Sequence, residues 1–135
     1  MTTNLFEILI PKRPLSQQAN KKNKKLWKDY IYGRAMSQWD KGTPYEKSGL
    51  RFTLVYLCDD SPADIDNIIK PIQDALVGVV FADDSLITDV DSHRRFISER
   101  IDVTNLPPVL REGVLSGQEC VYIRVSLADN LEFYL

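Results

Sequence analysis

The chain has 135 residues, of which 44% are hydrophobic and 27% charged, with a formal net charge of −2. That length supports one hydrophobic core and not two, so a single domain over residues 1–135 is expected, with the ordinary composition of a globular protein. No apolar run approaches the ~20 residues of a membrane span, and Glu7 interrupts the early apolar segment that a secretory signal would need.

In chain order, residues 5–10 form a short apolar run closed by Pro11, which predicts a strand. After a loop at Pro14, Leu15 and Ser16, the period lengthens over residues 17–39. Trp27, Tyr30, Ile31 and Ala35 recur at helical spacing, with Lys24, Lys25 and Lys28 largely off that stripe. Gly42, Pro44 and Gly49 mark residues 40–49 as a loop. The segment Leu50–Cys58 is apolar at both parities, with Phe52, Leu54 and Tyr56 on one side and Val55 and Leu57 on the other. It predicts a central strand covered on both faces. A turn then leads into a helix capped by Asp64 or Asp66, with Ile65, Ile68, Ile69, Ile72, Ala75 and Leu76 as its apolar face. Pro71 should kink this helix or delay its start, and Gly78 should end it.

Asp83, Asp84 and Ser85 read as a turn, and residues 86–97 as a strand with Leu86, Thr88 and Val90 inward. Pro107 and Pro108 open a short helix that Gly117 closes. Val121, Ile123, Val125 and Leu127 alternate with Tyr122, Arg124 and Ser126, the pattern of a half-buried strand. The predicted fold class is α+β, an α/β-like two-layer arrangement with helices packed on a mixed sheet. Cys58 and Cys120 both fall in strand segments and read as buried free thiols of a cytoplasmic protein. Two distant cysteines and one histidine cannot assemble a zinc site, so any metal must be held by oxygen.

Charge is unevenly placed. Residues 1–50 carry ten Lys and Arg against four acids, a balance of +6, which leaves the remainder at −8. Such asymmetry fits a protein that holds a polyanion with one region and a cation with another. A solvated lysine-rich helix face explains the first half equally well. On the polyanion reading the phosphate contacts are Lys21, Lys22, Lys24, Lys25 and Lys28, with Arg94 and Arg95.

The acidic residues concentrate between positions 64 and 84. Asp66, Lys70 and Asp74 are spaced i, i+4, i+8 and share one helix face, with Asp64 ahead of them and Asp83 and Asp84 after a short return. If the chain returns to the strand end it left, three or four carboxylates meet. They would repel one another unless a cation neutralised them, and Mg2+ suits an oxygen-only site. Such a metal can activate water and stabilise charge on a phosphodiester, with Lys70 holding a phosphate oxygen. Taken singly, each residue has a plainer role as a cap, a turn or an ion pair. An EF-hand starting at Asp64 fails at Ile69 and Ala75, and the chain has no P-loop, G-x-S-x-G or H-E-x-x-H motif.

The run Asp64-x-Asp66-Asn67-x-x-Lys70-x-x-x-Asp74-Ala75-Leu76, followed by Gly78, Asp83, Asp84 and Ile87, resembles the signature of the RusA family of crossover-junction endodeoxyribonucleases. The resemblance implies a Mg2+-dependent homodimer, with Mn2+ able to substitute, that resolves four-way (Holliday) DNA junctions by paired symmetric nicks. By position it makes Asp64, Asp66 and Asp84 the catalytic, metal-binding acids and Lys70 the essential lysine. Asp74 matches a further acidic position, with Asp83 supporting. The chain departs from the family pattern in lacking an asparagine after Ser16 and in carrying His93, Arg94 and Arg95 where a lysine is frequent. The expectation is a bacterial or prophage-encoded nuclease of recombination and repair. The alternatives are a branched-DNA nuclease of looser specificity and a junction-binding or partner-binding protein that does not cut.

Overall fold

Apolar residues of both parities require residues 50–58 to be covered on two faces, and the computed structural model, which describes residues 3–135, shows why they are. Four strands, β1 (Asn4–Ile10), β2 (Leu50–Cys58), β3 (Ile87–Phe96) and β4 (Cys120–Leu127), form one sheet in the order β1-β4-β2-β3. β4 runs antiparallel to both its neighbours, whereas β2 and β3 are parallel, so the sheet is mixed. Helices α1 (Lys21–Gln38) and α2 (Ile65–Leu76) cover one face. There Trp27, Ile31 and Ala35 of α1 and Ile68, Ile72, Ala75 and Leu76 of α2 pack on Phe52, Leu54 and Tyr56 of β2 and Val121, Ile123 and Val125 of β4. The short helix α3 (Pro108–Ser116) adds a partial layer on the other face, where Leu110 packs with Leu57, Cys120 and Tyr122. The chain thus forms a single α+β domain. Among the described residues no helix is long and apolar enough to cross a membrane.

Three local expectations are corrected. β4 is not half-buried: Tyr122 is 1% and Ser126 0% exposed, because β4 lies inside the sheet and α3 closes over part of its second face. On β3, Thr88 and Val90 are exposed and not inward; the sheet ends at this strand, and Val90 keeps 53% of its surface. Pro71 does not delay the start of α2, which runs from Ile65 to Leu76 with the proline inside it. A proline removes the N–H that would bond four residues back, which here orphans the Asn67 carbonyl. The Gln17 backbone N–H donates to that oxygen instead, at 2.7 Å, so the loop before α1 repairs the defect in α2.

Because β2 and β3 are parallel, α2 is a crossover and must carry the chain back to the beginning of β2. Leu50, at the start of β2, accordingly lies opposite Ile87, at the start of β3. This topology decides where the two halves of the acidic motif lie.

Candidate active site

Asp64 follows a loop that residues distant in sequence hold in place. Arg13 donates to the Ser61 carbonyl at 2.5 Å and pairs with Glu119 at 3.5 Å. Glu119 in turn accepts from the Tyr56 hydroxyl at 2.6 Å and from the Asp59 N–H at 3.3 Å. Burial, reinforced by Glu119, raises the Tyr56 phenol above its ordinary value and keeps it a neutral donor. Ser61 takes a φ of 53° in this clamped loop. Asp64 is the N-cap residue of α2, yet its side chain makes no capping hydrogen bond. It and Asp66 are both exposed and form no ion pair among the described residues. Simple capping therefore does not account for Asp64.

The return to Asp84 is anchored by burial. After α2, Gly78 adopts a φ of 85°, and Val79, Val80 and Phe81 turn into the core. Tyr45 donates to the Val80 carbonyl and its own carbonyl accepts from Ala82, both at 2.9 Å, so the 40–49 loop grips this segment as a strand would. Asp83 then caps a 3-10 turn over Asp84–Leu86 by accepting from the Ser85 N–H at 3.1 Å, and hydrogen bonding from the Ser85 side chain, with its backbone second, holds the Asp83 carboxyl below the ordinary value.

The turn presents Asp84 to Lys70. The Lys70 ammonium pairs closely with Asp84 and, at 2.9 Å, with Asp74 one helical turn on. Hydrogen bonds to Asp84 first and Asp74 second raise the Lys70 pKa, so the group stays charged. The structure thus brings together Lys70, Asp74 and Asp84. No ion pair joins Asp64 or Asp66 to this trio among the described residues. Among the described residues no three acidic side chains converge closely enough to hold a metal ion. The donor chemistry nevertheless suits a hard dication, because four carboxylates around α2 are offset by one ammonium and every donor is oxygen. In the observed arrangement Lys70 is the counter-ion of Asp84.

The lysines of α1 divide into two groups. Lys24, Lys25 and Lys28 line a cleft of about 370 Å³ together with Gln17, Lys70, Pro71 and Asp74. Lys21 and Lys22 do not line it. Lys25 also pairs with Asp29 at 2.8 Å on the open surface. The two arginines separate as well: Arg94 is opposite Tyr56 and Arg95 opposite Leu57, so strand alternation points them to different faces. Arg95 and His93 edge an apolar pocket beneath α3, lined by Val55, Leu57 and Leu110.

Comparison with known families gives the family of the chain. The family described as endodeoxyribonuclease RusA matches residues 8–104, well over half of the chain. The chain belongs to the RusA family. It is accordingly a Holliday junction endodeoxyribonuclease, a hydrolase of DNA in recombination and repair. The RusA match takes in the end of β1 and all of α1, β2, α2 and β3, with every residue of the acidic motif, and stops short of α3 and β4. No curated protein is similar enough to match.

Sequence reading missed the residues that shape this RusA site without taking part in the motif. Arg13 and Glu119 clamp the loop ahead of Asp64, Gln17 completes α2, and Phe81 anchors the return to Asp84. Only Phe81 leaves a trace in the sequence, as the last of three consecutive apolar residues after Gly78.

Proposed function

We infer that the site hydrolyses phosphodiesters of four-way DNA junctions with a divalent cation, Mg2+ or in its place Mn2+, held by Asp64, Asp66 and Asp84. The observation that carries this reading is an excess of carboxylates beside a lysine-lined cleft: four acids and one ammonium on and around α2, with Lys24, Lys25 and Lys28 across from Lys70. A bound dication would supply Lewis acidity towards the attacking water and positive charge at the phosphate. The chain's own residues do the remainder. Lys24, Lys25 and Lys28 hold the backbone of the strand to be cut, and Lys70 reaches a non-bridging phosphate oxygen as negative charge builds there. Asp74 orients Lys70 from the next turn, and Asp83 fixes the turn that presents Asp84. Lys21 and Lys22 lie beyond the cleft and contact more distant phosphates, and Arg94 and Arg95 serve separate stretches of DNA.

A four-way junction has near two-fold symmetry, and one chain carries one such site, so the working unit is a homodimer making paired symmetric nicks. Buried free thiols at Cys58 and Cys120 fit a bacterial or prophage protein kept in a reducing cytoplasm. Incubation with Mg2+ and a synthetic four-way junction beside linear duplex of the same sequence tests the reading. The expected products are two symmetric nicks in the junction and intact duplex. Equal cutting of flaps and forks would indicate a looser branched-DNA nuclease, and binding without cutting would indicate a recognition protein. Light scattering should report about twice the 15.5 kDa chain mass, and a monomer on the junction would refute the paired mechanism.

A further inference from the structure

The charges of β3 are sorted along the strand. Asp89 and Asp91 stand in its first half and His93, Arg94 and Arg95 in its second, with Ser92 between them. Asp89, Asp91, His93 and Arg95 share the sheet face that carries α3, where Asp91 pairs with Arg51 and His93 and Arg95 edge the pocket beneath that helix. Arg94 points to the face covered by α1 and α2. Among the described residues, no ion pair within the chain engages Asp89 or Arg95. β3 is the last strand of the sheet, paired on one side with β2, and Val90 on it is 53% exposed. Mixed charges on such a strand keep other chains off the edge. Charges sorted by sign do so in one direction only. A parallel copy would set acid beside acid and base beside base. An antiparallel copy sets Asp89 opposite Arg95 and Asp91 opposite His93, and the same contacts return from the other chain, as a two-fold axis at Ser92 requires.

We propose that β3 is the subunit contact, along which two copies pair antiparallel with Ser92 facing Ser92 and Asp89 of each copy against Arg95 of the other. The proposal rests on the homodimer reading above and takes Arg95 from the DNA contacts given there, leaving Arg94 to them. The partner is a second copy because this order of charge is complementary to itself reversed. Neighbouring registers are worse. Centring the axis on Asp91 brings two carboxylates face to face, and centring it on His93 leaves Asp89 without a base opposite. Opposed residues in an antiparallel pair point to the same side of the sheet, so the α1–α2 layers of both copies stay together on one face. The two Lys70–Asp84 pairs, each held against α2 just ahead of β3, then lie on that same face, where one junction can reach both.

Charge reversal in the full chain tests this, with the dimer dissociation constant read by light scattering over a dilution series. Asp89→Arg and Arg95→Asp each turn two attractions per dimer into repulsions, and each should weaken self-association about tenfold to a hundredfold. Mixed in equal amounts, the two variants should associate as tightly as wild type, because the mixed dimer restores every opposite pair. A variant that merely misfolded would not be rescued in this way. Ser92→Cys should cross-link to itself under mild oxidation and migrate at about twice the 15.5 kDa chain mass. Cys58 and Cys120 are buried, so wild type should stay uncross-linked under the same treatment. Single variants that associate as tightly as wild type, a mixture no tighter than its components, or a Ser92→Cys protein that does not cross-link overturns the proposal. If wild type is a dimer when any of these is seen, the homodimer reading stands and β3 falls as its surface. If wild type stays monomeric, both fall.

Discussion

Replacing Lys24, Lys25 and Lys28 together by glutamine removes three of the four ammonium groups lining the α1–α2 cleft and leaves Lys21 and Lys22 in place. Glutamine is close to lysine in helix propensity, so α1 should persist. The pair between Lys25 and Asp29 joins side chains 77% and 59% exposed, so its loss should hardly affect stability. Each phosphate contact contributes about 0.9 to the slope of log affinity against log salt, so three lost contacts should flatten that slope by about 2.7 per bound chain. Extrapolated from 1 M, the same three contacts are worth about 2.7 decades, or roughly 500-fold, near 0.1 M salt. The assay is fluorescence anisotropy of a labelled four-way junction across a KCl series, on an Asp66→Asn background so that the DNA is not cut. The Lys21→Gln, Lys22→Gln pair, whose side chains lie outside the cleft, should flatten the slope by about 1.8 units at most in the same series. If the triple variant keeps the wild-type slope, or the pair takes the larger share, the cleft is not where the backbone binds.

Three further outcomes are expected. Asp64→Asn, Asp66→Asn and Asp84→Asn should each lower cleavage by several orders of magnitude while junction affinity survives or improves, as carboxylate–phosphate repulsion is relieved; wild-type turnover in Asp66→Asn would contradict the site. Phe81→Ala should cost about 3–5 kcal/mol, since the ring is wholly buried, and thermal melting that shows no loss would remove Phe81 as the anchor of the Asp84 turn. Burial pushes the Cys120 thiol up to about 11, so it stays protonated at neutral pH and should react with alkylating reagents only after unfolding, as mass spectrometry with and without denaturant would show.

Local patterning determined a large part of this protein. β2 was readable because apolar residues at both parities can be satisfied only inside a sheet, and α2 because its isoleucines repeat with the helical period. The acidic motif was readable for a different reason: the residues that carry the chemistry are packed into one short stretch of chain, and the family match over residues 8–104 agrees with it. What could not be read depended on pairing across the chain. No periodicity distinguishes a strand that runs parallel to its neighbour from one that runs antiparallel, and that choice brought Asp84 against Lys70. The burial of β4 followed from a neighbour more than a hundred residues away, β1, whose pairing sequence periodicity does not record.

Pro71 shows the same division most clearly. From the sequence alone a proline inside a helix is a defect, because local geometry offers the orphaned carbonyl no donor. Only the folded chain brings the Gln17 N–H to the Asn67 carbonyl and lets α2 continue unbroken. Short-range periodicity therefore determined which residues are helix, strand and candidate site, since those preferences act within a few residues of chain. The tertiary structure decided which charges meet, since electrostatic and hydrogen-bond partners are set by distance in space, which sequence separation does not measure.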